Sequence, residues 1–269
     1  ERMITAVRLP DELEAATDLP VLGQIPRIPG RTRSGIMRYL AKHPASAPAE
    51  AIRNLRTSLV LSQSSAPPQL TVVTSALPGE GKSTMAVALA QNYSGLGKRV
   101  LLIEADIRRR TLAKFLGLKE GNRNILSVLS GEDTIEEAVQ TAKDFAFDVL
   151  LGATASVNPA DLLSSKQFES LLTEARSSYD VVIVDTPPLL VVPDARIVAQ
   201  YADAVLFSVL WNRTTLTQVS DALKQLRSIG IRASGLVLSN VDPKAMQRLG
   251  YGQRHGVYDR KIGRGYYKN

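Results

Sequence analysis

The sequence predicts an α/β fold, a mostly parallel sheet with helices on both faces, and three observations carry that prediction. Apolar strand-like runs near 70–75, 99–104, 148–151, 180–185, 203–209 and 234–239 alternate with helical patterns, clear at 82–94, 165–177 and 215–229. The runs are continuous rather than alternating apolar and polar, the pattern of strands buried on both faces. Several of them end in groups suited to phosphate or a cation, at the strand edge where open α/β sheets hold their ligands.

Taken in order, residues 1–48 are rich in proline and basic residues, with P-V-L-G-Q-I-P-R at 20–27 and K-H-P-A-S-A-P at 42–48. They read as an irregular linker or a strap on the surface of a domain spanning 49–242. Within that domain Leu70 to Thr84, L-T-V-V-T-S-A-L-P-G-E-G-K-S-T, is a strand running into a phosphate-binding loop and a helix N-terminus. The fold is therefore P-loop NTPase-like. Backbone N–H groups from Gly79 through Glu80, Gly81, Lys82 and Ser83 to Thr84 would wrap a β-phosphate, the Lys82 ammonium would reach the β/γ oxygens, and the Ser83 hydroxyl would hold Mg²⁺. Ala76 stands where the usual pattern has its first glycine, and a small residue still lets the turn form.

The next strand ends V-L-L-I-E-A-D-I-R at 100–108, placing the carboxylates of Glu104 and Asp106 at its C-terminal end. V-V-I-V-D-T-P-P at 181–188 puts Asp185 at the end of another apolar run, as a Walker B acid beside Ser83. A single acid at a strand end more often caps a helix; three such ends in one chain favour a nucleotide site.

Composition adds bounds. A chain of 269 residues buries a full core, and the absence of cysteine excludes a disulfide framework and a thiolate metal site. No apolar run is long enough to cross a bilayer, and a chain opening on Glu1 without a signal peptide reads as a fragment of a longer protein. The segment 243–269 carries seven Lys/Arg against Asp259, so it supplies +6 of the formal +7. Lacking apolar periodicity, it reads as a disordered basic tail. It also holds Tyr251, Tyr258, Tyr266 and Tyr267, half of the eight tyrosines.

These features together resemble the bacterial tyrosine autokinases that regulate capsule and exopolysaccharide export. The shared features are the phosphate loop with Leu77 in place of a signature lysine, the acid-x-Asp-x-Arg strand end at 104–108, D-T-P-P at 185–188 and the tyrosine-rich end. N-P-A-D-L-L-S-S at 158–165 and the ExxRxxR pattern E-A-I-R-N-L-R at 50–56 match further family segments. The family usually has Asp where this chain has Glu104, and an Asn near the last strand that touches the nucleobase, for which Ser239 and Asn240 are the candidates here.

The resemblance implies phosphoryl transfer from ATP·Mg²⁺ to a tyrosine hydroxyl. Lys82 and the loop amides would neutralise the phosphates, and Ser83 and Asp185 would place the metal. Asp106, with or without Glu104, would orient or deprotonate the phenol, and Arg108 to Arg110 would meet the γ-phosphoryl, guide the acceptor or form a solvated surface. It also implies a homo-oligomeric ring with Glu50, Arg53 and Arg56 at the subunit interface. The tyrosines at 251, 258, 266 and 267 would be phosphorylated by a neighbouring subunit. A cognate phosphatase, polysaccharide polymerisation and export proteins, and a cytoplasmic position below membrane helices preceding this segment complete the expectation, with no nucleic-acid partner. Two other readings compete: a MinD/ParA-type ATPase, which usually carries the lysine replaced here by Leu77, and a non-catalytic nucleotide-dependent scaffold.

Overall fold

A computed structural model describes residues 6–62, 66–142, 145–154 and 158–249. The chain runs α1 (Pro10–Thr17), β1 (Val21–Pro26), α2 (Arg33–Lys42), α3 (Ala47–Leu61), β2 (Leu70–Ser75), α4 (Lys82–Ser94) and β3 (Val100–Glu104). The short helices α5 (Leu112–Leu116), α6 (Ile125–Leu129) and α7 (Ile135–Ala138) lead to the edge hairpin β4 (Gln140–Ala142) and β5 (Phe147–Leu150). There follow α8 (Pro159–Leu163), α9 (Lys166–Ser178), β6 (Val181–Asp185), α10 (Asp194–Ala199), β7 (Ala204–Leu210), α11 (Leu216–Arg227), β8 (Gly235–Val241) and α12 (Pro243–Arg248).

The strands form one eight-stranded sheet in the order β1-β8-β7-β2-β6-β3-β5-β4, parallel throughout except for β4 against β5. Every residue of β2, β3 and β6 is buried, and their side chains divide between the two faces with period two. Leu101, Ile103, Val182 and Val184 meet the layer that includes Phe168 of α9 and Leu223 of α11. Leu102, Val73 and Ile183 meet Leu55 of α3 and Met85 and Leu89 of α4. Helix starts are set locally: the Ser165 side chain accepts from Phe168 N–H, and Thr215 and Gln218 form a capping box.

Two expectations about the ends are corrected. Residues 6–48 are not an irregular strap: Val7, Leu13 and Met37 are fully buried, and β1 pairs in parallel with β8 from Val21↔Leu236 to Pro26↔Val241. Proline misleads here, because it is tolerated in an edge strand, where one side of the backbone has no ladder to complete. The approach of β1 is so close that a Cβ on Gly235 would stand 2.3 Å from Leu22 Cγ, which accounts for glycine there. At the other end, 243–248 is not tail but helix α12. Asp242 caps it by accepting from the N–H groups of Lys244 and Ala245, and Met246 is buried. The four C-terminal tyrosines lie outside the described residues.

Candidate active site

Strands β2, β3 and β6 lie close together in the middle of the sheet and end at the same edge, which delivers the loop 76–81, Asp106 and Asp185 to one place. The loop needs two left-handed turns, at Gly79 (φ 85°) and Gly81 (φ 87°). A Cβ on Gly81 would also press on Ser239 at 3.1 Å. Glu80 points inward. Its carboxylate accepts from Leu77 N–H at 2.9 Å and bonds the Thr214 hydroxyl, while its carbonyl accepts from the hydroxyls of Ser208 and Ser239. Burial raises the Glu80 carboxyl above its ordinary value, with the Leu77 and Thr214 bonds pulling it back. The side chain thus shapes the loop from beneath, leaving the backbone amides for phosphate.

Lys82 is buried at the first turn of α4. Its Nζ lies 3.1 Å from Asp106 Oδ2, 3.5 Å from Asp185 Oδ1 and 3.3 Å from Ser83 Oγ. Burial alone would lower the ammonium pKa, but the Asp185 and Asp106 carboxylates outweigh it and hold it above the ordinary lysine value. One cation serving two buried carboxylates leaves a net negative charge, and complete burial pushes the Asp185 carboxyl up. Asp185 Oδ2 is buried with no hydrogen-bond partner. An orphaned carboxylate oxygen beside a hydroxyl and a second carboxylate is a hard-oxygen donor set that fits Mg²⁺. Among the described residues no cluster of three or more His, Cys, Asp or Glu is placed to hold a metal ion.

Glu104 stands in register beside Asp185 but makes no hydrogen bond to this group, where the expectation has it work beside Asp106. Its longer side chain turns back under the loops: Oε1 accepts from Leu112 N–H at 2.7 Å and Oε2 from Gly152 N–H at 3.1 Å. Burial raises its pKa from 4.5 to about 7, the two amides opposing the shift and Asp185 adding to it. A raised carboxyl favours the protonated folded form, so its contribution to stability is complete below pH 4.5 and lost as pH rises through 7. Over that window the wild-type unfolding free energy should fall by about 3 kcal/mol more than that of Glu104→Gln. Denaturant titrations at pH 4.5 and 7.5 check this; parallel profiles for the two proteins would refute it.

The basic run divides. Arg108 forks onto the fully buried Asp194 at 3.0 and 3.3 Å and reaches Asn158 at 3.4 Å, and Arg110 pairs with Glu120 at 2.9 Å. Only Arg109 of the three faces a cavity of about 250 Å³ over the phosphate loop, with Lys82, Ser83, Thr84 and Asp106. An adjoining cavity of about 300 Å³ is apolar, lined by Ile25, Ile28, Ile36, Ile52 and Met85 together with Gly79, Gly81 and Asn240. Asn240 is exposed there with φ 57°, whereas the Ser239 hydroxyl is spent on the Glu80 and Val209 carbonyls. Sequence reasoning missed the isoleucines of the N-terminal segment, because their role depends on β1 carrying them to the loop.

Glu50, Arg53 and Arg56 lie on α3, away from the loop. Arg53 pairs with Glu50 and donates to the Pro44 carbonyl at 2.8 Å, and Arg56 donates to Asn92 Oδ1 at 2.7 Å.

A family model described as an AAA domain matches residues 70–234. EpsB of Ralstonia solanacearum, named as a tyrosine-protein kinase, is 35% identical over 97% of this chain, which spans 36% of that protein's length. The tyrosine-protein kinase YwqD of Bacillus subtilis is 36% identical over 77% of this chain and 87% of its own. The solved kinase domain of the Escherichia coli tyrosine kinase ETK superposes with a TM-score of 0.80 at 29% identity, covering 88% of this chain and 95% of that one. The MinD structure from Pyrococcus horikoshii, at 20% identity and a TM-score of 0.53, shares the fold alone.

Proposed function

This chain belongs to the bacterial tyrosine-protein kinases, and from that premise we propose that it is the nucleotide-binding catalytic part of an autokinase that transfers the γ-phosphoryl group of ATP to tyrosines 251, 258, 266 and 267 of a neighbouring copy. The observation that carries the reading is the Lys82, Asp106, Asp185 and Ser83 group, joined within 3.5 Å at the ends of three parallel strands. The loop amides and Lys82 bind and neutralise the β/γ oxygens, and the apolar cavity with Asn240 takes the base. Ser83 and Asp185 would hold Mg²⁺, which when bound adds positive charge where the loose transition state spreads its negative charge. The acceptor phenol, near pKa 10 when free, is mostly protonated at neutral pH. Asp106, open to the phosphate-side cavity, orients it and takes its proton as the new oxygen–phosphorus bond forms and the bond to the β-bridging oxygen breaks.

The basic segment is then substrate as well as appendage. Each phosphate adds about −1.5 to −2 charges, so three or four cancel the +6 it carries. Regulation of exopolysaccharide export, a phosphatase that resets the tyrosines, and attachment to the membrane through parts of the protein outside this chain belong to the same proposal. Among the described residues no helix is long and apolar enough to cross a membrane. Intact and tandem mass spectrometry after incubation with ATP·Mg²⁺ tests the reading. Phosphate mapping to those tyrosines supports it; ADP accumulating without modified tyrosine favours a MinD-type ATPase, and neither outcome leaves a scaffold.

Assembly into a ring through Glu50, Arg53 and Arg56 is part of the proposal. Replacing Arg53 and Arg56 together by Ala should bring the mass in solution down to one chain with the fold retained, since the two half-buried side chains give up only the bonds to Glu50, Pro44 and Asn92. A light-scattering mass equal to the wild type would place the interface elsewhere.

A further inference from the structure

Helix α2 lies across the phosphate-side cavity, and its first residue, Arg33, lines that cavity with Lys82, Ser83, Asp106 and Arg109. The placement is built rather than incidental. The Thr32 side chain caps the helix by accepting from Gly35 N–H at 3.0 Å, and Met37 and Leu40 are buried beneath. The chain enters through Gly30 at φ 153°, where a Cβ would stand 2.7 Å from Ile36 N. The Arg33 guanidinium rests over the Phe115 ring, 5.1 Å from its centroid, and makes no ion pair with a carboxylate among the described residues. A guanidinium held on an aromatic face keeps its edge and most of its N–H donors free. It therefore stands uncompensated at a cavity whose opposite wall binds phosphate.

Resting on the reading of this cavity as an ATP site, we propose that Arg33 binds the terminal phosphate of the bound triphosphate, with Phe115 as its positioning partner. The segment N-terminal to the phosphate loop thus reports whether the γ-phosphate is present. Lys82 already serves two carboxylates, whereas Arg33 and Arg109 bring charge that no acid of the site claims. Fork-shaped, charge-assisted bonds to phosphate are what a guanidinium contributes there. A diphosphate lacks the group that Arg33 would meet, so the effect is selective.

The test is titration calorimetry of Mg²⁺ with ADP, and with a non-hydrolysable ATP analogue, on the wild type, Arg33→Ala, Arg33→Lys, Phe115→Leu and the exposed control Arg38→Ala. The expected result is about tenfold weaker binding of the analogue to Arg33→Ala, ADP changed less than about twofold, and a smaller loss in Arg33→Lys and Phe115→Leu. Arg38→Ala should behave as wild type. Equal losses for both nucleotides, or none, in Arg33→Ala would overturn the assignment while leaving the ATP site in place. A wild type that binds neither nucleotide would overturn both.

Discussion

Replacing Lys82 by Met should lower tyrosine phosphorylation by about two to three orders of magnitude, the loss expected when one preorganised charge is removed from a transition state. Geometry says why the effect exceeds that of any nearby cation. The ammonium is the group joining Asp106, just beyond the end of β3, to Asp185, the last residue of β6, and it is buried with both. Methionine fills the volume of the stem and supplies no charge, leaving two buried carboxylates facing each other. Complete burial already raises Asp185; without the cation its pKa climbs further, as one of two neighbouring carboxylates keeps its proton. A carboxyl whose folded pKa is raised contributes stability at low pH that is lost as pH rises through that value. The variant should therefore lose more stability than the wild type as pH rises from the ordinary Asp value of 3.8 to neutrality. Phosphate incorporation by intact mass and denaturant midpoints at the two pH values check the two halves. Undiminished phosphorylation would remove Lys82 from the reaction, and a pH profile parallel to the wild type would show that the carboxylates do not share its charge.

Much of this was legible in the residues because it depends on local order: strand, glycine turn and helix start are contiguous at 70–84, and Asp106 and Asp185 end apolar runs. The six strands read from apolar runs all occur within a residue or two of their expected positions. What was hidden depends on contacts distant in sequence. β1 has Pro20 before it and Pro26 at its end, and only pairing with β8 makes a strand of it. Leu13 and Met37 count as core only once that strand is placed. Glu104 looks from spacing like a second acid of the site, yet one extra methylene lets it reach the amides of Leu112 and Gly152, and nothing local announces either partner. Asp194 drew no notice, nine residues beyond Asp185, although it decides what Arg108 does.

Arg108→Ala should both destabilise the fold and slow the reaction. Asp194 is fully buried at the first turn of α10 and relies on the Arg108 guanidinium, which also reaches Asn158, the cap of α8. This single side chain ties together the loops that follow β3, β5 and β6. Removing it strands a buried carboxylate, which costs about 3–5 kcal/mol in a fully enclosed pair. Here the arginine side chain is 39% exposed, so water screens the loss and about 2 kcal/mol is expected. Asp194→Ala should cost less, because it takes the buried charge away with the bond, and the double variant should lie near Asp194→Ala rather than at the sum. The loop that Arg108 secures carries Asp106 and Arg109, so a displaced acceptor site should lower kcat about tenfold with nucleotide affinity nearly intact. Denaturation of the three variants, with nucleotide titration and single-turnover phosphorylation beside it, measures each arm. Additive stabilities would show that the pair is not coupled. A fall in nucleotide affinity as large as the fall in rate would mean that Arg108 acts on the phosphates themselves and not by holding the three loops in place.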